Sequence, residues 1–237
     1  LQPARGHYGA GDPEVIQETF RQVRDCGIDF LILDHTNGMN NDHGRIEANI
    51  KSIFDHAEAA PRLCIAIGGA LWHAKNRDLH QREADDVWTR YAQRNSYFRW
   101  KGKPLLVVYA DRKWDWDDDR FTVRWATGHA TPDMPWGWVF QMPTPVNGEV
   151  MGVMPGWDRA RFGDSRPPIP RAGGQHYREA WMRAIEHRPE MVVITSWDDW
   201  AEETAIADAK DWVDDSGKSA SDWYRRLTRG YIRFLRE

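Results

Sequence analysis

The sequence predicts an α/β fold of the (β/α)8 TIM-barrel type, because short apolar runs alternate along the chain with longer amphipathic patterns. None of the apolar runs leads into a glycine-rich phosphate loop, which disfavours a doubly wound nucleotide-binding sheet. The length of 237 residues suits one barrel, and we expect a single domain over residues 1–237. Seven candidate strands are present where a complete barrel has eight, so the predicted barrel is one strand short.

The first element is a helix that begins at Pro13 and ends near Cys26. Asp12 is a typical N-cap residue, proline is favoured at the first helical position, and Gly27 is a typical helix terminator. The apolar run at residues 28–33 follows directly. Its continuous hydrophobicity predicts a strand that is buried on both faces.

The same alternation continues to the end of the chain. Amphipathic patterns predict further helices at residues 46–59, 80–98, 175–187 and 219–236. Short apolar runs predict further strands at residues 63–67, 105–109, 121–126, 136–141, 150–154 and 191–196.

The composition excludes several classes of protein. The net charge is −4 and the basic residues are scattered along the sequence, whereas a nucleic-acid-binding protein has a basic face. No apolar run approaches the roughly 20 residues that span a bilayer. Cys26 and Cys64 are too few for a disulfide framework, and both fall in apolar patterns that predict buried thiols. No feature of the sequence fixes the compartment.

The chain contains 14 tryptophans, which leave two interpretations open. An indole offers a flat apolar face with one polar group, which suits the faces of sugar rings. The same residues also suit a tryptophan-rich core.

Polar and aromatic residues stand where the predicted strands end. In (β/α) barrels these positions form the active site. The set is rich in acids, aromatics and amides and has little aliphatic content, so it predicts a site for a hydroxyl-rich, uncharged ligand. It comprises Asp34, His35, Trp72, Tyr109, Gln141, Trp157 and the cluster after Ile194, with His7 as a further hydrogen-bond donor.

The cluster after the last strand holds four carboxylates within six residues, at Asp198, Asp199, Glu202 and Glu203, flanked by Trp197 and Trp200. Because Asp199 and Glu202 are three residues apart, a helical turn would place both side chains on one side of the chain. Two carboxylates in one pocket divide into an acid and a base, as glycoside hydrolysis requires. The alternative is an acidic helix start that is favoured by the helix dipole.

The stretch at residues 194–206, ITSWDDWAEETAI, resembles the hallmark of glycoside hydrolase family 99 and its GH71/99-like relatives, the endo-α-mannosidase and endo-α-mannanase group. In that group the last barrel strand runs into Ser-Phe-Asn-Glu-Trp-x-Glu-Gly-Thr-x-Ile. Three further stretches resemble the group in the same order along the chain. They are the segment from Gly6-His7-Tyr8 to Asp34, Gly102-Lys103-Pro104 with the strand ending at Tyr109, and Met154-Pro155-Gly156-Trp157-Asp158.

The resemblance implies roles for individual residues. Asp199 would deprotonate the sugar 2-hydroxyl, so that the 2-oxygen attacks C1 and forms an epoxide-like intermediate. Glu202 would protonate the departing oxygen and later activate water, with overall retention. Tyr8, Asp34 and Trp157 would line the sugar subsites, and no cofactor is required. The match begins at the second strand of the family's barrel, so the first strand is missing or precedes this chain.

Three residues depart from the family pattern. Asp199 replaces the family's first catalytic Glu and is one methylene shorter, Asp198 replaces an Asn, and Glu203 replaces a Gly. The missing first strand and the Asp199 substitution leave open a second hypothesis, in which the chain is a catalytically inactive glycan-binding barrel of a larger surface or virion-associated protein. A relative that acts in polysaccharide assembly is a third. Each of the three predicts an oligo- or polysaccharide as the partner.

Other kinds of site are poorly supported. The acidic segment at residues 114–119 lacks the spacing of an EF-hand, and we expect an acidic helix start there. No histidine pair has the spacing of a helical zinc site, and no Gly-x-Ser-x-Gly elbow is present. We therefore predict no metal site.

Overall fold

The structure is a computed structural model. It describes residues 1–37, 44–57, 61–68, 77–129, 134, 136–140 and 149–237. Chain contacts divide it into two compact units. We call residues 9–127 the N-terminal unit and residues 1–8 with 128–237 the C-terminal unit.

The described part of the N-terminal unit contains four parallel strands and three α-helices. Helix α1 (Pro13–Cys26) has its predicted bounds, because the Asp12 carboxylate accepts a hydrogen bond from the Glu14 N–H at 2.9 Å and Gly27 ends the helix with φ of 82°. The following elements are β1 (Phe30–His35), α2 (Arg45–Asp55), β2 (Arg62–Ile67), α3 (Arg77–Val87), β3 (Arg99–Trp100), β4 (Lys103–Tyr109) and β5 (Thr122–His129).

The parallel strands are ordered β1-β2-β4-β5. The short strand β3, which the sequence did not predict, pairs antiparallel with the start of β4 around the turn at Lys101 and Gly102. Strands β2 and β4 are almost completely buried, as their continuous apolar runs indicate. Strand β1 is present as predicted, but the expectation that it is buried on both faces was wrong, because its first four residues are only half-buried. Within the described part of the chain β1 pairs only with β2.

The C-terminal unit contains β6 (Trp136–Phe140), β7 (Val150–Val153), α4 (Gln175–His187), β8 (Met191–Ile194) and α5 (Trp223–Arg236). Strands β7 and β8 are parallel, with Val150 opposite Met191 and Val153 opposite Ile194. The apolar faces of α4 and α5 pack in one core with β7, and aromatic residues such as Tyr177, Trp181 and Tyr224 fill it. Because β7 and β8 run side by side in the same direction, the segments that follow them leave the sheet at the same edge.

Both cysteines are free and buried, as predicted. The helices in the described parts of the chain are all too short or too polar to cross a membrane.

Candidate active site

The turn after β8 is closed by its own hydrogen bonds. The Asp199 N–H donates to Ser196 Oγ at 2.9 Å, and Ser196 Oγ lies 2.8 Å from Thr204 Oγ1. The Ser196 N–H donates to the Thr204 carbonyl at 3.0 Å, and the Thr204 N–H donates to the Asp199 carbonyl at 3.1 Å. The backbone at residues 196–204 is therefore a fixed platform for the acidic side chains.

Asp199 is oriented by its partner in the predicted pair. Its Oδ1 accepts a hydrogen bond from the Glu202 N–H at 2.9 Å. Within the residues that the structure describes, Oδ2 of Asp199 accepts no hydrogen bond. One carboxylate oxygen thus fixes the side chain, and the other is left for a ligand.

Glu202 is held by the segment that follows β7. The Trp157 indole N–H donates to Oε2 of Glu202 at 2.9 Å, and Arg159 Nε lies 3.4 Å from Oε1. The Asp158 N–H donates to the Glu202 carbonyl at 3.0 Å. The Glu202 side chain remains 24% exposed, so a ligand can still reach it. Trp157 itself is 2% exposed, so its indole reaches Glu202 from a buried position.

Asp198 belongs to a second chain of hydrogen bonds. The Trp200 indole N–H donates to Tyr8 Oη at 2.9 Å, and the Tyr8 hydroxyl donates to Oδ2 of Asp198 at 3.2 Å. Burial and the nearby Asp198 charge raise the pKa of Tyr8 to about 12. Burial raises the pKa of Asp198, the hydrogen bond from Tyr8 lowers it, and the charge of Asp199 raises it further. The residue Asp198 as a whole is nevertheless exposed to solvent.

Arg171 stabilises the end of the turn, at Glu203 and Ala205. Its Nη2 donates to the carbonyls of Glu203 and Ala205 at 2.6 and 2.7 Å, and its guanidinium carbon lies 4.2 Å from the ring centre of Trp212. A Cβ at Gly156 would lie 2.6 Å from Arg171 Cγ, so this approach requires glycine. The sequence patterns did not indicate Arg159 or Arg171, because each of them contacts the turn after β8 from a position that is distant along the chain.

The turn also contains a strained residue. Glu203 has φ of 55°, in the left-handed region that favours glycine. The family pattern that the sequence resembles has Gly at this position. A side chain at this position therefore adds strain to the turn.

The other predicted site residues are placed as follows. His7 is exposed, and Trp197 packs partly against the core of the C-terminal unit, to which both residues belong. Three residues belong to the N-terminal unit: Asp34 is exposed at the end of β1, His35 is buried there with its pKa lowered by burial, and Tyr109 is half-buried at the end of β4. Trp72 and Gln141 lie outside the described residues.

The acidic segment at residues 114–119 does not begin a helix, so this prediction was wrong. Asp118 instead pairs with Arg120 at 2.5 Å and also accepts a hydrogen bond from the Arg120 N–H, which forms a local turn. The described part of the chain contains no group of three or more acidic, histidine or cysteine side chains that could hold a metal ion.

Parallel strands that alternate with helices, with polar side chains after the last strand, are typical of a (β/α) barrel. The chain is similar to the GH99 endo-α-mannosidase of Bacteroides thetaiotaomicron, with a TM-score of 0.76 and 18% identity over 100% of this chain and 84% of that chain. The same enzyme in complex with bis-tris-propane gives a TM-score of 0.77 and 18% identity over 100% and 88% of the two chains.

A glycoside hydrolase-like protein also matches, with a TM-score of 0.71 and 11% identity over 97% of this chain and 88% of that one. No protein-family model and no curated protein sequence matches the chain. The likeness confirms the predicted barrel fold and a structural relationship to the GH99 endo-α-mannosidases.

Proposed function

We propose that the protein is a retaining, endo-acting glycoside hydrolase for an α-linked glycan of the mannose type. The observation that carries the proposal is the orientation of both carboxylates in one turn, with Asp199 fixed by the Glu202 N–H and Glu202 fixed by the Trp157 indole. The names of two structural neighbours, both endo-α-mannosidases, support the choice of substrate.

The chemistry follows from the two roles. Asp199 removes the proton of the sugar 2-hydroxyl, the 2-oxygen attacks C1, and Glu202 donates a proton to the departing glycosidic oxygen. Glu202 then removes a proton from water, which opens the three-membered ring at C1, while Asp199 returns its proton to the 2-oxygen. Two inversions at C1 give net retention, and no cofactor takes part.

The geometry of the turn supports this division of labour. Oδ1 of Asp199 is occupied by the Glu202 N–H, so Oδ2 is the oxygen that would act as the base. Such a reaction needs positions held to well within about 1 Å. Closure of the turn by Ser196 and Thr204 and the hydrogen bonds from Arg171 support the proposal, because they fix the backbone of the turn.

The experiment is hydrolysis of α-mannan by the purified protein, by Glu202→Gln and by Glu186→Gln. Glu186 is an exposed acid on α4 and serves as the matched control. We expect Glu202→Gln to abolish release of reducing ends and to keep glycan binding, and Glu186→Gln to match the wild type. Unchanged turnover in Glu202→Gln would remove this residue from the mechanism.

One observation favours a second candidate, the inactive glycan-binding barrel of a larger surface or virion-associated protein. The Asp199 side chain is one methylene shorter than the Glu of the family pattern, and its Oδ1 already accepts a hydrogen bond from the Glu202 N–H. Both features limit how far the carboxylate can reach toward a sugar hydroxyl. Asp199→Glu separates the two candidates. If the native chain is inert and this variant cleaves α-mannan, the binding candidate is correct; if the native chain is active and the variant is slower, the enzyme is correct.

A further inference from the structure

The loop at residues 158–168 carries an arginine-rich surface beside Glu202. The loop is closed at its base, because the Trp157 N–H donates to the Ile169 carbonyl at 2.9 Å and the Ile169 N–H donates to the Trp157 carbonyl at 2.8 Å. The Asp158 N–H donates to the Glu202 carbonyl at 3.0 Å and anchors the loop to the turn after β8. Side chains of this loop therefore border the proposed reaction centre.

Phe162 stands out on this loop because its side chain is 56% exposed. The guanidinium carbon of Arg159 lies 5.5 Å from the centre of the Phe162 ring, and that of Arg161 lies 4.8 Å from it. An exposed aromatic ring offers a sugar an apolar surface, and the two guanidinium groups, which lie over the ring, add positive charge beside it.

The charge of this surface is not cancelled by the acids of the same loop. Asp164 pairs with Arg166 at 2.6 Å, and the hydrogen bonds from Arg166 lower the pKa of Asp164 to about 2. Asp158 accepts a hydrogen bond from the Ala160 N–H at 2.7 Å and caps the backbone there. Neither acid of the loop hydrogen-bonds to Arg159 or Arg161, although the charge of Arg159 also contributes to the lowered pKa of Asp164.

Arg159 and Arg161 also have unused donors toward the rest of the described chain. Arg161 is exposed and forms no ion pair with any described residue. Arg159 Nε is buried and donates no hydrogen bond there, although Oε1 of Glu202 is 3.4 Å away. Arg159 Nε therefore faces Glu202, and the Arg159 side chain, which is 29% exposed, stays accessible to a ligand.

We propose that the substrate is a glycan with an anionic substituent next to the bond that is cleaved, and that Arg159 and Arg161 bind this substituent while Phe162 packs on its sugar ring. Guanidinium groups pair with carboxylate, phosphate and sulfate through two parallel hydrogen bonds, so the substituent is a uronic acid carboxylate or an esterified phosphate or sulfate. This inference rests on the proposed function, and it replaces the uncharged ligand that the strand ends predict.

The test uses the Asp199→Asn variant, which removes the proposed base but keeps the Glu202 charge beside Arg159. Calorimetric titrations compare α-manno-oligosaccharides of equal length that are neutral, phosphorylated, sulfated or substituted with glucuronic acid. Inorganic phosphate alone is a further titrant that measures binding of the bare anion. The same titrations are repeated with Arg161→Gln added and, as the control, with Arg229→Gln, an exposed arginine on α5.

We expect at least one charged oligosaccharide to bind roughly fivefold more tightly than the neutral one at low salt, since an exposed ion pair contributes up to about 1 kcal/mol. The preference should fall toward unity with Arg161→Gln and as salt rises, and should persist with Arg229→Gln. Inorganic phosphate should bind far more weakly than the charged oligosaccharide, because it lacks a ring for Phe162.

The proposal is overturned if the neutral oligosaccharide binds as tightly as the charged ones or more tightly. It is also overturned if Arg161→Gln and the control Arg229→Gln reduce the preference for charged oligosaccharides equally. Failure of the proposed function gives a different pattern. If the charged glycan binds in an Arg161-dependent way but the wild type cleaves no glycan, the binding inference stands and the enzyme proposal fails. If the wild type cleaves neutral mannan at least as fast as charged mannan, the enzyme proposal stands and the inference fails.

Discussion

Replacement of Trp157 by Phe tests how Glu202 is positioned. The change removes the indole N–H that donates to Oε2 of Glu202 at 2.9 Å and keeps an aromatic ring at a site that is 2% exposed. A hydrogen bond to a charged group is worth about 1.5–3 kcal/mol. If that bond holds Glu202 in its reactive position, kcat/KM should fall roughly ten- to hundredfold, since about 1.4 kcal/mol corresponds to tenfold.

Trp181→Phe provides the matched control. Trp181 is also almost completely buried, at 1% exposed, but its indole nitrogen has no hydrogen-bond partner among the described residues. Both variants lose similar packing, so both should lower the free energy of unfolding in urea, and only Trp157→Phe should lower the rate of α-mannan hydrolysis. The reasoning is refuted if folded Trp157→Phe hydrolyses mannan within twofold of the wild type, or if Trp181→Phe is impaired equally.

Three further predictions concern the same turn. Glu203→Gly should raise the free energy of unfolding by roughly 0.5–1 kcal/mol in urea titrations, because it removes the strain at φ of 55°, and an unchanged or lower value would contradict this. The raised pKa of Asp198 favours folding at low pH, and this contribution is lost as pH rises through the folded-state pKa. Asp198→Asn should therefore be nearly neutral at about pH 3 and stabilising by less than about 1 kcal/mol at about pH 7, whereas the reverse order would contradict it. Tyr8→Phe removes the hydrogen bond that lowers the pKa of Asp198, so carbon-13 NMR titration should find that pKa higher still, and a lower value would refute the assignment.

Local signals in the sequence were enough for much of the fold. Helix α1 has its predicted bounds because Asp12, Pro13 and Gly27 act within one turn of its ends. Helix α4 likewise spans the predicted residues 175–187. The short hairpin strand β3 escaped prediction because two residues carry too little pattern, and the half-burial of β1 depends on its neighbours in the sheet rather than on its own composition.

The site was predictable only in part. The position of Asp199 and Glu202 in one turn follows from their spacing and from the end of a strand. The contacts that give those residues their environment are long-range: Tyr8 is 190 residues from Asp198, and Trp157 is 45 residues from Glu202. Such contacts leave no periodicity in the sequence, so Arg159 and Arg171 could not be identified before the chain was folded.

The most direct test of the proposed function is to follow the hydrolysis of a short α-manno-oligosaccharide by the purified protein with proton NMR. Attack by the 2-oxygen followed by water predicts that the first reducing-end signal is that of the α-anomer, which then equilibrates to the mixture. A β-anomer appearing first would mean a single inversion and would rule out the roles given to Asp199 and Glu202. The absence of any new reducing end with every neutral and charged glycan would contradict the enzyme proposal altogether.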